Sequence, residues 1–280
     1  MKRLTALLLA VLLLSGCVRE MPAPTTTAAP TTTAAPTTEA TRSPTTEPTT
    51  EPTTEPTTEP TRSPTTVPTT EPAPVLHSGL REDGSFDEGT WFIGDSMTCN
   101  LMVAYLQPKG LVADANYTGK YGAQITAFFD GTVMNRTTGN ICVFRPEHQG
   151  MTYEQVGLEL GEKATAIYIM FGTNFTDTGY TETYQRLVDY LLDTCPNATI
   201  HMQLIPWGVG VYYDTVNGWI REVYEGYVRQ GEQRVMLIDT HTAIGRCPLS
   251  DTDQVHLSNT GNRRWYEAIR QHAADNNLAQ

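Results

Sequence analysis

Basic side chains are scarce in this sequence: 19 Lys and Arg stand against 31 Asp and Glu, for a formal net charge of −12. A phosphate-binding surface needs clustered Lys and Arg, and none occurs, which argues against nucleic acid as a partner. Cysteine is sparse as well. The chain has five, none in a CxxC pair or a Cys/His cluster of zinc type, so no metal site is expected. The glycines form neither a P-loop nor a dinucleotide fingerprint, and there is no Gly-x-Ser-x-Gly elbow of the α/β-hydrolase kind. The apolar run from Leu4 to Leu14 is too short to span a bilayer as a stable anchor.

What is present starts with Met1-Lys2-Arg3, that short apolar run, and then Ser15-Gly16-Cys17. A charged start, a greasy centre and small residues before a cut site make a secretory leader. Leu14-Ser15-Gly16-Cys17 resembles the bacterial lipobox. That resemblance implies removal of residues 1–16 and lipid on Cys17, with the remainder held outside the cytoplasm at a membrane or cell surface. Membrane contact would run through Cys17 only, each buried acyl methylene contributing about 0.8 kcal/mol. Inner and outer membrane are not distinguished.

Residues 17–74 form the next segment. From Pro22 to Pro74 they are almost wholly Thr, Pro, Ala and Glu, with repeated Thr-Thr-Glu-Pro. Such a segment lacks the apolar side chains that offset ordering entropy, so it reads as an unfolded stalk. Proline biases it toward extended polyproline II, with a reach on the order of 150 Å. Thr/Pro tracts of this kind also suit O-glycosylation.

Residues 75–280 read as one folded domain. Trp91-Phe92-Ile93 is a short strand ending in Gly94-Asp95-Ser96, with a helix from Met97 to Leu106 and a weaker strand over Leu111 to Ala115. Ala166 to Phe171 is apolar on both faces, as a central parallel strand should be. Helices follow at Tyr180 to Leu192, Val216 to Val228 and Asn259 to Ala274. Strands follow at Ala198 to Ile205 and Arg234 to Ile238. Between Asp130 and Tyr153 the alternation breaks, and Thr137-Thr138-Gly139-Asn140 looks like a hairpin tip. This alternation predicts an α/β domain: a flavodoxin-like three-layer α/β/α fold with a mostly parallel five-stranded sheet, binding ligands beyond the carboxyl ends of its strands. Cys99, Cys142, Cys195 and Cys247 allow three full disulfide pairings, and free thiols stay equally open.

Ser96 lies where a strand turns into a helix, so unpaired backbone N–H groups stand beside its hydroxyl. Asp253-Gln254-Val255-His256 offers an imidazole and a carboxylate on one loop, the pair that activates a serine. Gly94-Asp95-Ser96, a glycine after the second strand, Gly172-Thr173-Asn174 and Asp253-Gln254-Val255-His256 resemble, in order and spacing, the four blocks of SGNH/GDSL hydrolases. The likeness covers roughly 190 residues from about Trp91 onward. It implies Ser96 as nucleophile, His256 as general base and Asp253 as the orienting carboxylate. The oxyanion donors would be the Ser96 and Gly122 N–H groups and the Asn174 amide. Two points depart from the pattern: Phe175 stands where Asp commonly follows, and Gly119 competes with Gly122. The run Ala123-Gln124-Ile125 favours Gly122.

His241, two residues after Asp239, is a competing base, with a strand-end packing role preferred. Trp207, Tyr212, Tyr213 and Trp219 could stack on a sugar or simply pack a loop. The leading expectation is an extracytoplasmic serine esterase that needs no cofactor. It would hydrolyse a short acyl ester, such as O-acetyl, on a carbohydrate or cell-wall polymer. An acyltransferase with the same triad and a catalytically silent surface-binding module are the alternatives. Oligomeric state is not legible.

Overall fold

Segments that are apolar on both faces make the centre of a sheet covered on both sides. β1 (Thr90–Gly94), β4 (Ala166–Met170) and β5 (Thr199–Gln203) are buried along their whole length. The computed structural model describes residues 73–134, 141–143, 145–175, 179–209 and 212–279, with backbone alone at 141–143. The chain divides into two units, Met1–Thr66 and Val67–Gln280, and all described residues belong to the second. The leader, Cys17, nearly all of the stalk and the expected hairpin tip at Thr137–Asn140 lie outside the described residues.

With β2 (Asn116–Lys120), β3 (Ile141–Val143) and β6 (Val235–Ile238), the sheet order is β3-β2-β1-β4-β5-β6. Five strands run parallel, the number expected, though one lies at another place in the sequence, and short β3 extends the β2 edge antiparallel as a sixth. From β1 the chain steps outward to β2, then returns to the other side of β1 with β4. The crevice between β1 and β4 is therefore a topological switch point, the place where open α/β sheets bind ligands.

α1 (Ser96–Asn100) and the wider π-type turns of Leu101–Leu106 share one face with α6 (Asn259–Asp275). α2 (Tyr153–Leu160), α3 (Tyr180–Thr194) and α4 (Tyr213–Gln230) form the other layer. α3 buries Tyr180, Tyr184, Leu187, Val188 and Leu191, a stripe at helical spacing. On the α6 face, Trp265 is buried and its indole N–H reaches Gln203 Oε1 at 2.7 Å, fixing the helix over β5. Tyr168 lies stacked between Phe92 at 4.7 Å and His201 at 4.5 Å, its register partners on β1 and β5.

Three expectations change. No strand covers Leu111 to Ala115; the strand is β2, and Gly119 lies inside it opposite Gly94. Its polar residues look unlike a buried strand, yet Thr118 accepts the Trp91 indole N–H at 2.8 Å and Asn116 donates to Glu88 O at 2.8 Å. The helix expected over Met97 to Leu106 is α-helical only to Asn100. The cysteines are neither all bridged nor all free. Cys99 is disulfide-bonded, while Cys195 is a buried free thiol and Cys247 a half-buried one. The Cys142 side chain lies outside the described residues.

Candidate active site

β1 and β4 end side by side, Gly94 in register with Met170. The turns that leave them carry Asp95-Ser96 and Thr173-Asn174. Asp95 caps α1, its Oδ1 accepting the Met97 N–H at 2.9 Å. As the first residue of that helix, Ser96 keeps an N–H that no helical turn uses, next to its own buried hydroxyl.

The Asp95 carboxylate also joins the two turns. Its Oδ2 accepts the Thr173 hydroxyl at 2.5 Å and the Thr173 N–H at 3.3 Å. Asn174 Nδ2 in turn donates to Thr173 Oγ1 at 3.3 Å and to Ala123 O at 3.1 Å. Ala123 N–H closes a turn onto Lys120 O at 3.2 Å, with Gly122 inside it at φ +71°. Nothing crowds a Cβ built at Gly122, so the left-handed backbone is what calls for glycine there. Ser96, Gly122 and Asn174 thus meet at one rim, from the ends of β1, β2 and β4.

His256 arrives from the loop before α6. Leu249 and Leu257 bridge the base of that loop, and Ser250 N–H bonds to His256 O at 2.7 Å. Asp253 organises its tip: Oδ1 accepts the N–H groups of Val255 at 2.9 Å and His256 at 3.0 Å, while Oδ2 accepts His256 Nδ1–H at 2.8 Å. These bonds, the imidazole's first among them, hold the Asp253 carboxyl down at about 2. With Nδ1 carrying the proton, Nε2 presents a lone pair, and that atom is buried with no hydrogen-bond partner. At the start of α6, Asn262 Nδ2 donates to Asn100 Oδ1 at 2.7 Å, tying the helix behind His256 to the helix that carries Ser96.

No hydrogen bond joins Ser96 to His256 in this structure. Free enzymes commonly hold such pairs long and tighten them around a ligand. The imidazole instead packs against the Tyr121 ring edge to face, with centroids 5.8 Å apart.

Burial dominates at Asp95, whose carboxyl is pushed up to about 6 against the hydrogen bonds that favour its charge. A carboxyl raised on folding adds stability below its unfolded value and loses that contribution as pH rises through about 6. From pH 4 to pH 7 the wild-type chain should lose about 2 kcal/mol relative to Asp95→Asn, which cannot titrate. Urea unfolding of both chains at each pH checks this. A difference independent of pH would mean that Asp95 titrates like an exposed carboxyl.

His241 stands elsewhere. It lies in α5 (Thr240–Ile244), its Nδ1 3.2 Å from Ile205 O and its ring 5.8 Å from that of Tyr213, a packing role at the end of β5. The aromatic residues after β5 split into two groups. Trp207 packs on Tyr213 at 6.0 Å beneath the Arg246 guanidinium at 4.3 Å. Tyr212 and Trp219 instead meet Phe175 at 6.5 and 4.8 Å. Where the four-block pattern has an acid, Phe175 therefore anchors the Asn174 turn by ring packing. Reading the sequence for chemistry assigned no role to Asp95, Thr173 or Tyr121. The first two lie within Gly94-Asp95-Ser96 and Gly172-Thr173-Asn174, and Tyr121 is marked in the sequence only by adjoining Gly122.

No family model matches this chain, and no curated protein matches it significantly. Among solved structures it is similar to a family two carbohydrate esterase from Clostridium thermocellum in complex with cellohexaose, at 17% identity and a TM-score of 0.47, covering 67% of this chain and 63% of that one. It is similar also to a family 3 carbohydrate esterase from Clostridium thermocellum, at 14% identity and a TM-score of 0.45, covering 66% and 94% respectively. An extracellular lipase from Streptomyces rimosus shares 11% identity at a TM-score of 0.39, covering 66% and 98%. The chain spans less than two thirds of the length of the family two esterase.

Proposed function

We propose that this chain is a serine esterase that works outside the cytoplasm and removes a short acyl group, acetyl being the expected case, from a carbohydrate or cell-wall polymer. One observation carries the reading. Asp253 holds His256 in the Nδ1–H form, leaving Nε2 as a bare acceptor on a loop tied to the helix that begins at Ser96.

In the proposed reaction His256 Nε2 takes the proton of the Ser96 hydroxyl as Oγ attacks the acyl carbonyl. The new C–O bond places a negative charge on the former carbonyl oxygen, which the Ser96 and Gly122 N–H groups and the Asn174 amide would receive. The tetrahedral species collapses, the alcohol oxygen leaves with the proton held by His256, and the acyl group stays on Ser96. Water gives its proton to His256 and attacks that ester, and the same collapse releases the carboxylic acid and restores the hydroxyl. Asp253 keeps its charge throughout and compensates the transient imidazolium. The leader and Cys17 would place this site at a membrane, with the stalk carrying it outward toward a polymer. The substrate class follows from the four-block resemblance and this location.

Asn174→Ala tests the oxyanion assignment, because it removes a donor that acts on the transition state. We expect kcat on p-nitrophenyl acetate to fall about 100-fold with KM nearly unchanged. A wild-type rate in that variant would remove Asn174 from the machinery. Acetate release from acetylated xylan and acetylated peptidoglycan, measured side by side, tests the substrate class.

A further inference from the structure

Asn174 reaches the proposed oxyanion site on a turn with an aromatic ring, not an acid, behind it, so something else must set the direction of its amide. Its Nδ2 carries two hydrogens. One points to Ala123 O at 3.1 Å and the other to Thr173 Oγ1 at 3.3 Å. A hydroxyl rotates freely unless its own hydrogen is committed, and here it is: Thr173 Oγ1 donates to Asp95 Oδ2 at 2.5 Å. A bond that short to a carboxylate is charge-assisted, so it fixes the rotor and turns the oxygen's lone pairs toward the amide. The acceptor is equally constrained, since Asp95 also takes the Thr173 N–H at 3.3 Å and the Met97 N–H at 2.9 Å.

We propose that Thr173 is a positioning residue: its hydroxyl, locked by Asp95, orients the Asn174 amide and couples it to the turn that carries Ser96. The proposal rests on the esterase reading and adds to it a group that touches no substrate. Thr173 acts through Asn174, holding one amide hydrogen on a long bond that a developing oxyanion can replace. The neighbours are consistent with a rigid frame. Tyr153 Oη donates to Gly94 O at 3.1 Å and Tyr180 Oη to Phe171 O at 2.9 Å, so both strand ends are braced independently of Thr173.

A double-mutant cycle separates this role from a merely structural one. In the full chain, Thr173→Val removes the hydroxyl and keeps the shape. On p-nitrophenyl acetate its kcat should drop about 10-fold, with KM within about two-fold of wild type. Thr173→Ser, which retains the donor and acceptor, should restore most of the rate. Because the residue works through the amide, Thr173→Val combined with Asn174→Ala should be no slower than Asn174→Ala alone. Losses that multiply in the double variant, or a full rate in Thr173→Val, would overturn the proposal. Thr173→Ala serves for the same cycle where the valine chain does not fold. Ser96→Ala runs beside these: activity surviving there defeats the reading of Ser96 as the nucleophile of a serine esterase, whereas an inactive Ser96→Ala with a fast Thr173→Val defeats only the coupling.

Discussion

Replacing Ser96 by alanine is expected to lower ester hydrolysis by about four orders of magnitude or more. The variant keeps the Cβ, the Asp95 cap on the Met97 N–H and every hydrogen bond between the two turns, so its melting temperature should stay close to wild type. What it removes is the only covalent route in the proposed mechanism. Single-turnover and steady-state assays on p-nitrophenyl acetate, with the full chain at equal folded concentration, measure the effect. Because serine, imidazole and carboxylate act as a unit, adding His256→Ala to Ser96→Ala should cost little more. Retention of a tenth or more of the wild-type rate by Ser96→Ala would rule out Ser96 as the nucleophile.

Gly94→Ala should produce the largest loss of stability among conservative single changes at the site. A Cβ there would lie 2.1 Å from Met170 O and 2.3 Å from Thr98 Oγ1. Overpacking in a core usually costs about 1–3 kcal/mol, because side chains can shift. Here the nearest atom is backbone in the neighbouring central strand, in register with Gly94 itself. β1 and β4 can make room only by separating, which would break sheet hydrogen bonds at the centre of the domain. We expect a loss of more than about 3 kcal/mol, read from urea unfolding midpoints. A change under about 1 kcal/mol would show that the strands yield more easily than their packing suggests.

This glycine shows how a chemical motif can double as a folding requirement. In the sequence, Gly94-Asp95-Ser96 stands out as the approach to a nucleophile; in the fold, its first residue is what lets two central strands and α1 converge. Asp95 has the same dual character. Its ionised form is costly when buried, yet it accepts three hydrogen bonds that join the Ser96 and Asn174 turns.

The sheet was legible because its central strands are apolar on both faces, and β1, β4 and β5 were marked to within a few residues. β2 was misplaced because its outward signal is polar: Thr118 and Asn116 satisfy buried donors and acceptors of the segment beside them, a partnership with no local periodicity. The short strand β3 and the helix α2 were hidden in the broken stretch before and around Tyr153 for a related reason. Three residues of edge strand carry too little alternation to register, and the eight residues of α2 expose Leu158 while burying Gly157. The split among the aromatic residues after β5 was equally out of reach, since Trp207 and Trp219 are close in sequence but pack against different neighbours.

By itself the sequence determined the α/β alternation, the excess of acidic over basic side chains that argues against nucleic acid as a partner, and the short-range pair of Asp253 with His256. Each depends on composition or on residues within a few positions of one another. Only tertiary structure decided that Ser96, Gly122 and Asn174 share a rim, that β3 closes the edge, and that Asp95 and Thr173 link two turns 78 residues apart. Those contacts depend on strand order, and strand order is a property of how non-local surfaces are buried against each other.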